Sequence, residues 1–358
     1  MDYGLLKRLT EAPGPPGREA PVREILAREL ARFEADLKTD ALGNLIAHIK
    51  GTGPRVLLQA HLDEVGCLVS RVDERGFIRV MPLGVIDPRV FYGQRVVVHG
   101  REDLPGLVGT APPVLPAGFG GSAASPAQSQ AGGGPAMEDC YIDLGLPAER
   151  VAELVEVGDA VTFVSRAYET ETCFCGKALD DRVGLFVLVE ALGRAERLDC
   201  DLFLVGSVQE EYGLRGAGPA AFAVQPDLAV ALEGTFALDT PGLNLPANLT
   251  PTRLGLGPEI RLADGTALSD RALVRFLSRL ARERGIRHQV IVKKAGATDA
   301  GPIQVSGRGA RVTVISLPVR YAHAPTSLIS KSDLEETVRL VAAFLEQASR
   351  YGEPEPIS

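Results

Sequence analysis

Four apolar runs of this chain read as strands that stop at groups able to bind a divalent cation. Val56–Ala60 stops at His61 and Asp63, and Leu202–Val208 at Glu210 and Glu211. Leu228–Leu232 stops at Glu233, and Val312–Ile315 leads to His323. A further pair, Asp180 and Asp181, opens a helical stretch. Ligand groups in open α/β sheets collect beyond the carboxyl ends of strands, so separate segments can converge on one site. Imidazole nitrogen with carboxylate oxygen and no thiolate suits Zn, Co or Mn rather than a cysteine-built zinc site. Two histidines and three carboxylates suffice for two ions if one carboxylate bridges, and such a pair activates water and polarises a carbonyl together. Taken singly, each residue has a plainer explanation. A histidine after a strand is commonly a hydrogen-bonded structural group, Asp-Asp-Arg before a helix caps it, and Glu210-Glu211 is a solvated loop. Those explanations fail jointly, because they leave open why His61 and His323 each terminate a run that reads as buried. His48, His99 and His288 have ordinary surroundings and are read as structural or surface residues.

The elements that must position these groups alternate along the chain. Pro13-Gly-Pro-Pro-Gly17 breaks the first segment, and Val22, Ile25, Leu26 and Leu30 follow at helical spacing. A turn at Leu42-Gly43-Asn44 precedes the run that ends at His61. From Cys67 to about Arg166 short β-rich runs (Phe77–Met81, Arg95–His99, Ala160–Val164) are separated by Gly, Pro and Asp, which reads as a small all-β module. Within it, residues 116–136 are rich in Gly, Ala, Ser, Pro and Gln and carry no charge, and are expected to form a mobile surface loop. After Ala178 the α/β rhythm returns, with helices at Asp181–Arg197, from Ser269-Asp270 to Gly285, and at Asp333–Gln347. The reading is an α/β fold with a mixed, largely parallel sheet covered by helices, and an inserted small all-β domain.

Composition narrows the function. The 358 residues hold 38 Lys+Arg against 46 Asp+Glu, for a net charge of −8, with 45% hydrophobic residues. That is a globular chain with a core, and its acidity argues against nucleic-acid or anionic-membrane binding. No run approaches a membrane span. Trp is absent and aromatics are 5%, which counts against sugar- or base-stacking surfaces. Five cysteines and no signal-like opening segment point to a reduced, cytoplasmic compartment. Cys173-Phe-Cys175 lacks the spacing and second pair of a zinc or redox motif and is read as structural.

His61-Leu-Asp-Glu-Val-Gly66, Gly176-Lys-Ala-Leu-Asp-Asp-Arg-Val-Gly184, Gln209-Glu-Glu-Tyr-Gly-Leu-Arg-Gly216 and Arg320-Tyr-Ala-His323, in this order, resemble the M42 metallo-aminopeptidases. That family includes glutamyl and tetrahedral aminopeptidases, some labelled endoglucanases. Leu42-Gly43-Asn44, Cys140–Asp143, Asp239–Gly242 and Thr298-Asp-Ala300 extend the resemblance along nearly the whole chain. It implies a zinc-peptidase catalytic domain of residues 1–66 and 167–358, with a PDZ-like barrel of residues 67–166 inserted for assembly. It further implies that His61, Glu233 and a bridging Asp180 hold metal and that Glu211 and His323 complete the shell of the second metal. Which ion takes Glu233 and which Glu211 stays open. Glu210 would be the general base and Asp63 the acid that orients His61. Two divalent ions per subunit (Zn or Co, alternatively Mn), short peptide substrates and a homo-oligomer, a dodecamer or a dimer, follow from the same resemblance. The residues agree with these roles. Asp63 lies on the same face of an extended segment as His61, and Glu210 and Glu211 point to opposite sides of theirs.

The expected reaction is hydrolysis of an N-terminal peptide bond, with Glu210 taking a proton from a metal-bridging water and handing it to the leaving amine. The chain departs from the family at Pro112-Pro113-Val114, at 116–136, at Ala324–Ser327 and at Glu233, where many relatives have Asp. These changes bear on specificity, assembly and metal preference rather than on the ligand set. A binuclear deacylase shares the ligands and is separated by comparing free-amine with N-acylated peptides. A glycoside hydrolase has no role for His61 and His323. An inactive peptide-binding scaffold would keep the fold but lack hydrolysis under any metal.

Overall fold

The computed structural model describes residues 1–110 and 135–352. In chain order the chain forms α1 (Tyr3–Glu11), α2 (Ala20–Leu30), β1 (Asp36–Thr39), β2 (Leu45–Ile49) and β3 (Arg55–His61). Then follow β4 (Gly66–Val72), β5 (Ile78–Leu83), α3 (Pro88–Phe91), β6 (Arg95–His99), β7 (Asp103–Gly109), β8 (Tyr141–Asp143), α4 (Ala148–Leu154) and β9 (Ala160–Phe163). The remainder comprises β10 (Tyr168–Glu169), β11 (Cys173–Gly176), α5 (Leu179–Arg194), β12 (Asp201–Ser207), α6 (Ala217–Val224) and β13 (Leu228–Phe236). It continues with β14 (Glu259–Ala263), α7 (Arg271–Glu283), β15 (Gln289–Val292), α8 (Ala300–Gln304), β16 (Arg311–Arg320), β17 (Ser327–Ser330) and α9 (Lys331–Leu345). Two compact units result: Met1–Glu64 with Arg166–Ala322 and Thr326–Ser358, and Val65–Ser165 with His323–Pro325.

The first unit is built on a mixed sheet in the order β1-β2-β12-β3-β13-β16-β17-β11-β10, with β14 and β15 attached at β16. Its centre, β12-β3-β13-β16, is parallel and antiparallel strands flank it. Strand parity sorts the core. Val56, Leu58, Leu202, Leu204, Val230 and Leu232 face one hydrophobic cluster with α1, α2, α5, α7 and α9. Leu57, Val205, Ala229 and Ala231 face another with α6 and α8. Gln59 and His61 continue the parity of Leu57, Ser207 that of Val205, and Glu233 and Thr235 that of Ala229 and Ala231. The polar groups therefore extend the α6/α8 face toward the carboxyl ends of the strands. The helices start where local chemistry dictates: Asp270 accepts the Leu273 amide and Ser330 that of Asp333.

Sequence and structure differ at β13. The apolar run suggests a strand that stops at Glu233, whereas β13 continues to Phe236 because Glu233–Phe236 pair in register with Ser316–Val319 of β16. Glu233 thus lies within a strand. The second unit is a closed barrel, β4-β5-β8-β7-β6-β9, around Cys67, Val69, Ile78, Val98, Ile142 and Val161. It also carries α4, a helix of 7 residues, too short to leave a persistent period in the sequence. The loop expected at 116–136, up to residue 134, and Pro112–Val114 lie outside the described residues. Among the described residues no helix is long and apolar enough to cross a membrane.

Candidate metal centre

His61 ends β3 and is 1% exposed. The ladder between β3 and β13 stops at Gln59 and Ala231, whereas β3 stays paired with β12 through His61 and Ser207. Past that point the two central strands diverge, and room opens between them for side chains. The His61 Nε2 atom faces three carboxylates: Asp180 Oδ1 at 3.4 Å, Glu210 Oε2 at 3.9 Å and Glu233 Oε2 at 3.9 Å. On the other side of the ring, Nδ1 lies 3.2 Å from the Asp63 carbonyl and 3.4 Å from its Oδ1. The backbone N–H of His61 donates to Asp181 Oδ2 at 3.1 Å.

The carboxylate pairs divide their work. Asp181 is buried and accepts the N–H of Gly184 at 3.0 Å as well as that of His61, so it caps the regular part of α5 and ties it to β3. Asp180 lies ahead of the regular helix, where both residues have non-helical φ/ψ and the peptide joining them is cis, and its Oδ1 faces His61. Asp63, wholly buried, accepts Glu210 N–H at 3.0 Å on one oxygen and Glu211 N–H at 2.9 Å on the other. Its carboxylate is expected to orient the imidazole, and its shorter bonds go to the Glu210-Glu211 backbone. Ligand atoms of His61, Glu210 and Glu211 lie within 4.8 Å of one another, as do those of His61, Asp181 and Glu233. His323 follows β16 and belongs to the second unit, where its Nδ1 is 3.0 Å from the Val85 carbonyl.

Electrostatics record the crowding. Burial would lower the His61 pKa, but Glu210, Asp180 and Asp63 together hold it well above its ordinary value. Burial, and after it repulsion from Glu210 and Asp181, raises Glu233 well above the carboxylate range. Glu210 and Asp181 are raised for the same first reason, against the pull of His61.

Three residues around the centre, Asp299, Gln59 and Ser207, were given no role from the sequence. Asp299 is buried and its Oδ2 accepts Gln59 Nε2 and Ser207 Oγ, each at 2.6 Å. Its N–H lies 3.4 Å from Glu233 Oε1, and burial pushes its carboxyl up to about 7. Asp299 Oδ1 and Gln59 Oε1 are buried acceptors without a hydrogen-bonding partner. The available signal was the placement of Gln59 and Ser207, polar residues inside otherwise apolar strands. A set of nitrogen and carboxylate oxygen donors, offset by one imidazole and backed by orphaned acceptors, suits borderline-to-hard divalent cations. The residues present therefore fit a metal site.

Residues 43–340 match the sequence profile of the M42 glutamyl aminopeptidases. The chain belongs to that family. It is 31% identical to the lysyl aminopeptidase of Pyrococcus furiosus over 97% of both chains. The structure superposes on an aminopeptidase from the archaeon Desulfurococcus kamchatkensis with a TM-score of 0.88 at 34% identity, covering 96% of this chain and 94% of the other. A TET1 peptidase of Pyrococcus horikoshii, described as able to assemble into a tetrahedron or a large octahedral shell, gives 0.81 at 31% identity, over 96% and 98%. M42 membership makes the chain a hydrolase acting on peptides, and M42 aminopeptidases are metal-dependent. The barrel inserted in a helix-flanked mixed sheet is the architecture shared with these M42 structures.

Proposed function

We propose that this M42 chain is a dinuclear aminopeptidase that removes the N-terminal residue of short peptides. His61, Asp180, Glu211, Glu233 and His323 would hold two divalent cations, Zn or Co, with Asp180 shared. The observation that carries the reading is the convergence of Asp180, Glu210 and Glu233 on His61 Nε2 within 3.9 Å. When bound, the cations supply Lewis-acid polarisation of the scissile carbonyl and a lower pKa for the attacking water. Glu210 takes one proton from that water as its oxygen adds to the carbonyl carbon, and delivers it to the amine nitrogen as the C–N bond breaks. Asp63 fixes the backbone that carries Glu210 and Glu211, and Asp181 fixes His61, so both stay aligned without contact with substrate. The carboxylate excess beside Glu210 suits the cationic α-amine of a peptide and disfavours an N-acylated one, which sets an aminopeptidase ahead of a deacylase. Residues 1–66 and 167–358 form the catalytic domain in this reading. Residues 67–166 serve homo-oligomer assembly, as the shells described for the TET1 peptidase suggest.

Glu210→Gln tests the proton carrier. Turnover of an aminoacyl p-nitroanilide should fall by about 10²–10⁴-fold with metal content unchanged. Unchanged turnover with intact metal content would sink the assignment. Chelation should abolish hydrolysis and added Co or Zn restore it, and hydrolysis that survives complete metal removal would end the dinuclear reading.

A further inference from the structure

The turn that carries Glu210 and Glu211 is held by side chains from earlier in the chain. Its four consecutive backbone N–H groups, at residues 208–211, each donate to a side-chain oxygen. Val208 donates to Asn44 Oδ1 at 2.9 Å, Gln209 to Glu19 Oε1 at 3.2 Å, Glu210 to Asp63 Oδ1 at 3.0 Å and Glu211 to Asp63 Oδ2 at 2.9 Å. The bend itself falls at Gln209, whose φ of 57° is left-handed. A residue other than glycine keeps that conformation only where its surroundings impose it. Glu19 is the unexpected member of the set. It stands at the N-cap of α2, where a short Ser, Thr, Asp or Asn is favoured, and its side chain makes no capping bond. It is 4% exposed, and its Oε1 accepts the Gly17 N–H at 2.7 Å besides that of Gln209, 190 residues away. The loop that presents it is docked firmly. Gly14 N–H donates to Glu64 Oε1 and Glu64 N–H to the Gly14 carbonyl, both at 3.0 Å. Arg182 Nη1 donates to the Leu9 carbonyl at 3.1 Å and Lys177 Nζ to that of Ala12 at 3.3 Å.

Successive N–H groups around a left-handed residue form a concavity that favours anions, and here two carboxylates from different elements fill it. Asp63 alone would hold the Glu210 and Glu211 amides on a single carboxylate, about which that stretch of backbone could rock. Glu19 adds a third point, at the residue where the chain bends. We propose that Glu19 is a positioning residue for Glu210: it fixes the bend at Gln209 and with it the direction in which the Glu210 side chain leaves the turn. This rests on reading Glu210 as the general base. A buried group that acts through one amide bears on the rate of the chemical step rather than on substrate binding, so its loss belongs in kcat.

The test uses the metal-loaded full chain and an aminoacyl p-nitroanilide, with metal content and circular dichroism melting measured on every variant. Glu19→Ala should lower kcat by about 10- to 100-fold while KM and metal content stay close to wild type. Glu19→Gln should retain most of the rate, because both N–H groups share Oε1 and an amide oxygen accepts them equally. In a Glu210→Gln background, Glu19→Ala should cost less than about threefold further, because the placement of an absent base no longer matters. A residue that only supports the fold would lower both backgrounds by the same factor. A folded, metal-loaded Glu19→Ala with wild-type kcat overturns the proposal, and so does an equal loss in the two backgrounds. If Glu19→Ala does not fold, Glu19→Asp, whose carboxylate is one methylene shorter, decides by the same comparison. Unchanged turnover in Glu210→Gln alone overturns the general-base reading, and this inference with it. An impaired Glu210→Gln beside an unimpaired Glu19→Ala overturns this inference only.

Discussion

Asp63→Asn removes a single charge from a buried joint. The two carboxylate oxygens of Asp63 accept separate backbone N–H groups, Glu210 at 3.0 Å and Glu211 at 2.9 Å, and Oδ1 lies 3.4 Å from His61 Nδ1. Asparagine keeps the volume and one acceptor oxygen, but its NH2 must then face one of those N–H donors. One charge-assisted hydrogen bond, worth about 1.5–3 kcal/mol, becomes a contact between two donors in a site without solvent. Stability should therefore fall by about 2 kcal/mol. The Glu210-Glu211 backbone also loses its anchor, and an ångström-scale misplacement of a reacting group costs about 10²-fold in rate. The assay pairs urea unfolding with kcat/KM on an aminoacyl p-nitroanilide, and metal content is measured on the same preparation. The effect should appear in kcat more than in KM, because Asp63 touches the backbone of Glu210, the proposed proton carrier, and not the substrate. A variant with wild-type stability and wild-type kcat would refute the claim that this carboxylate holds the Glu210 segment.

Three further outcomes follow from the same site. Gly234→Ala should cost about 1–3 kcal/mol and impair metal binding, since its Cβ would lie 2.8 Å from Asp180 Cα; calorimetric titration with Zn reads the loss. In the metal-free protein the raised carboxyls, Asp299 at about 7 among them, bind protons more tightly when folded than when unfolded. Their contribution is thus present below the ordinary carboxylate range and is lost as pH rises toward about 7, so metal-free unfolding should grow easier over that interval. Added Zn should stabilise more at pH 8 than at pH 5.5, and an equal effect at both would contradict the assignment. Glu259 has the opposite sign. Burial raises it, but Arg261, Lys293 and Thr252 outweigh burial and its pKa ends below the ordinary 4.5. Its contribution is present above that value and lost only as pH falls further, so Glu259→Gln should flatten the acid limb of a urea-stability profile.

Much of the centre was legible because a polar stop in an apolar strand is conspicuous. His61 and the Glu210-Glu211 pair were visible for that reason. Asp180 and Asp181 were ambiguous between cap and ligand, and the structure shows why: Asp181 caps α5 while its neighbour faces His61. Glu233 stood out as the end of an apolar run although its strand continues, since register with β16 is a pairing property that no single strand displays. Strand β7 was obscured by Pro105 and Gly106, residues that argue locally against a strand. Barrel closure supplies partners that override that local preference.

The place of β3 in the sheet has a consequence for synthesis. Both of its neighbours, β12 and β13, follow the whole barrel in the chain. A nascent chain has therefore made β3 about 140 residues before β12 exists to pair with it, a wait of roughly 10–30 s at ordinary elongation rates. During that wait an apolar strand has two open edges, whereas the six barrel strands can close among themselves. The barrel is positioned to mature first on the ribosome. The candidate centre, whose proposed ligands run from His61 to His323, is among the last features to be complete, so cation capture would follow most of chain growth rather than guide it.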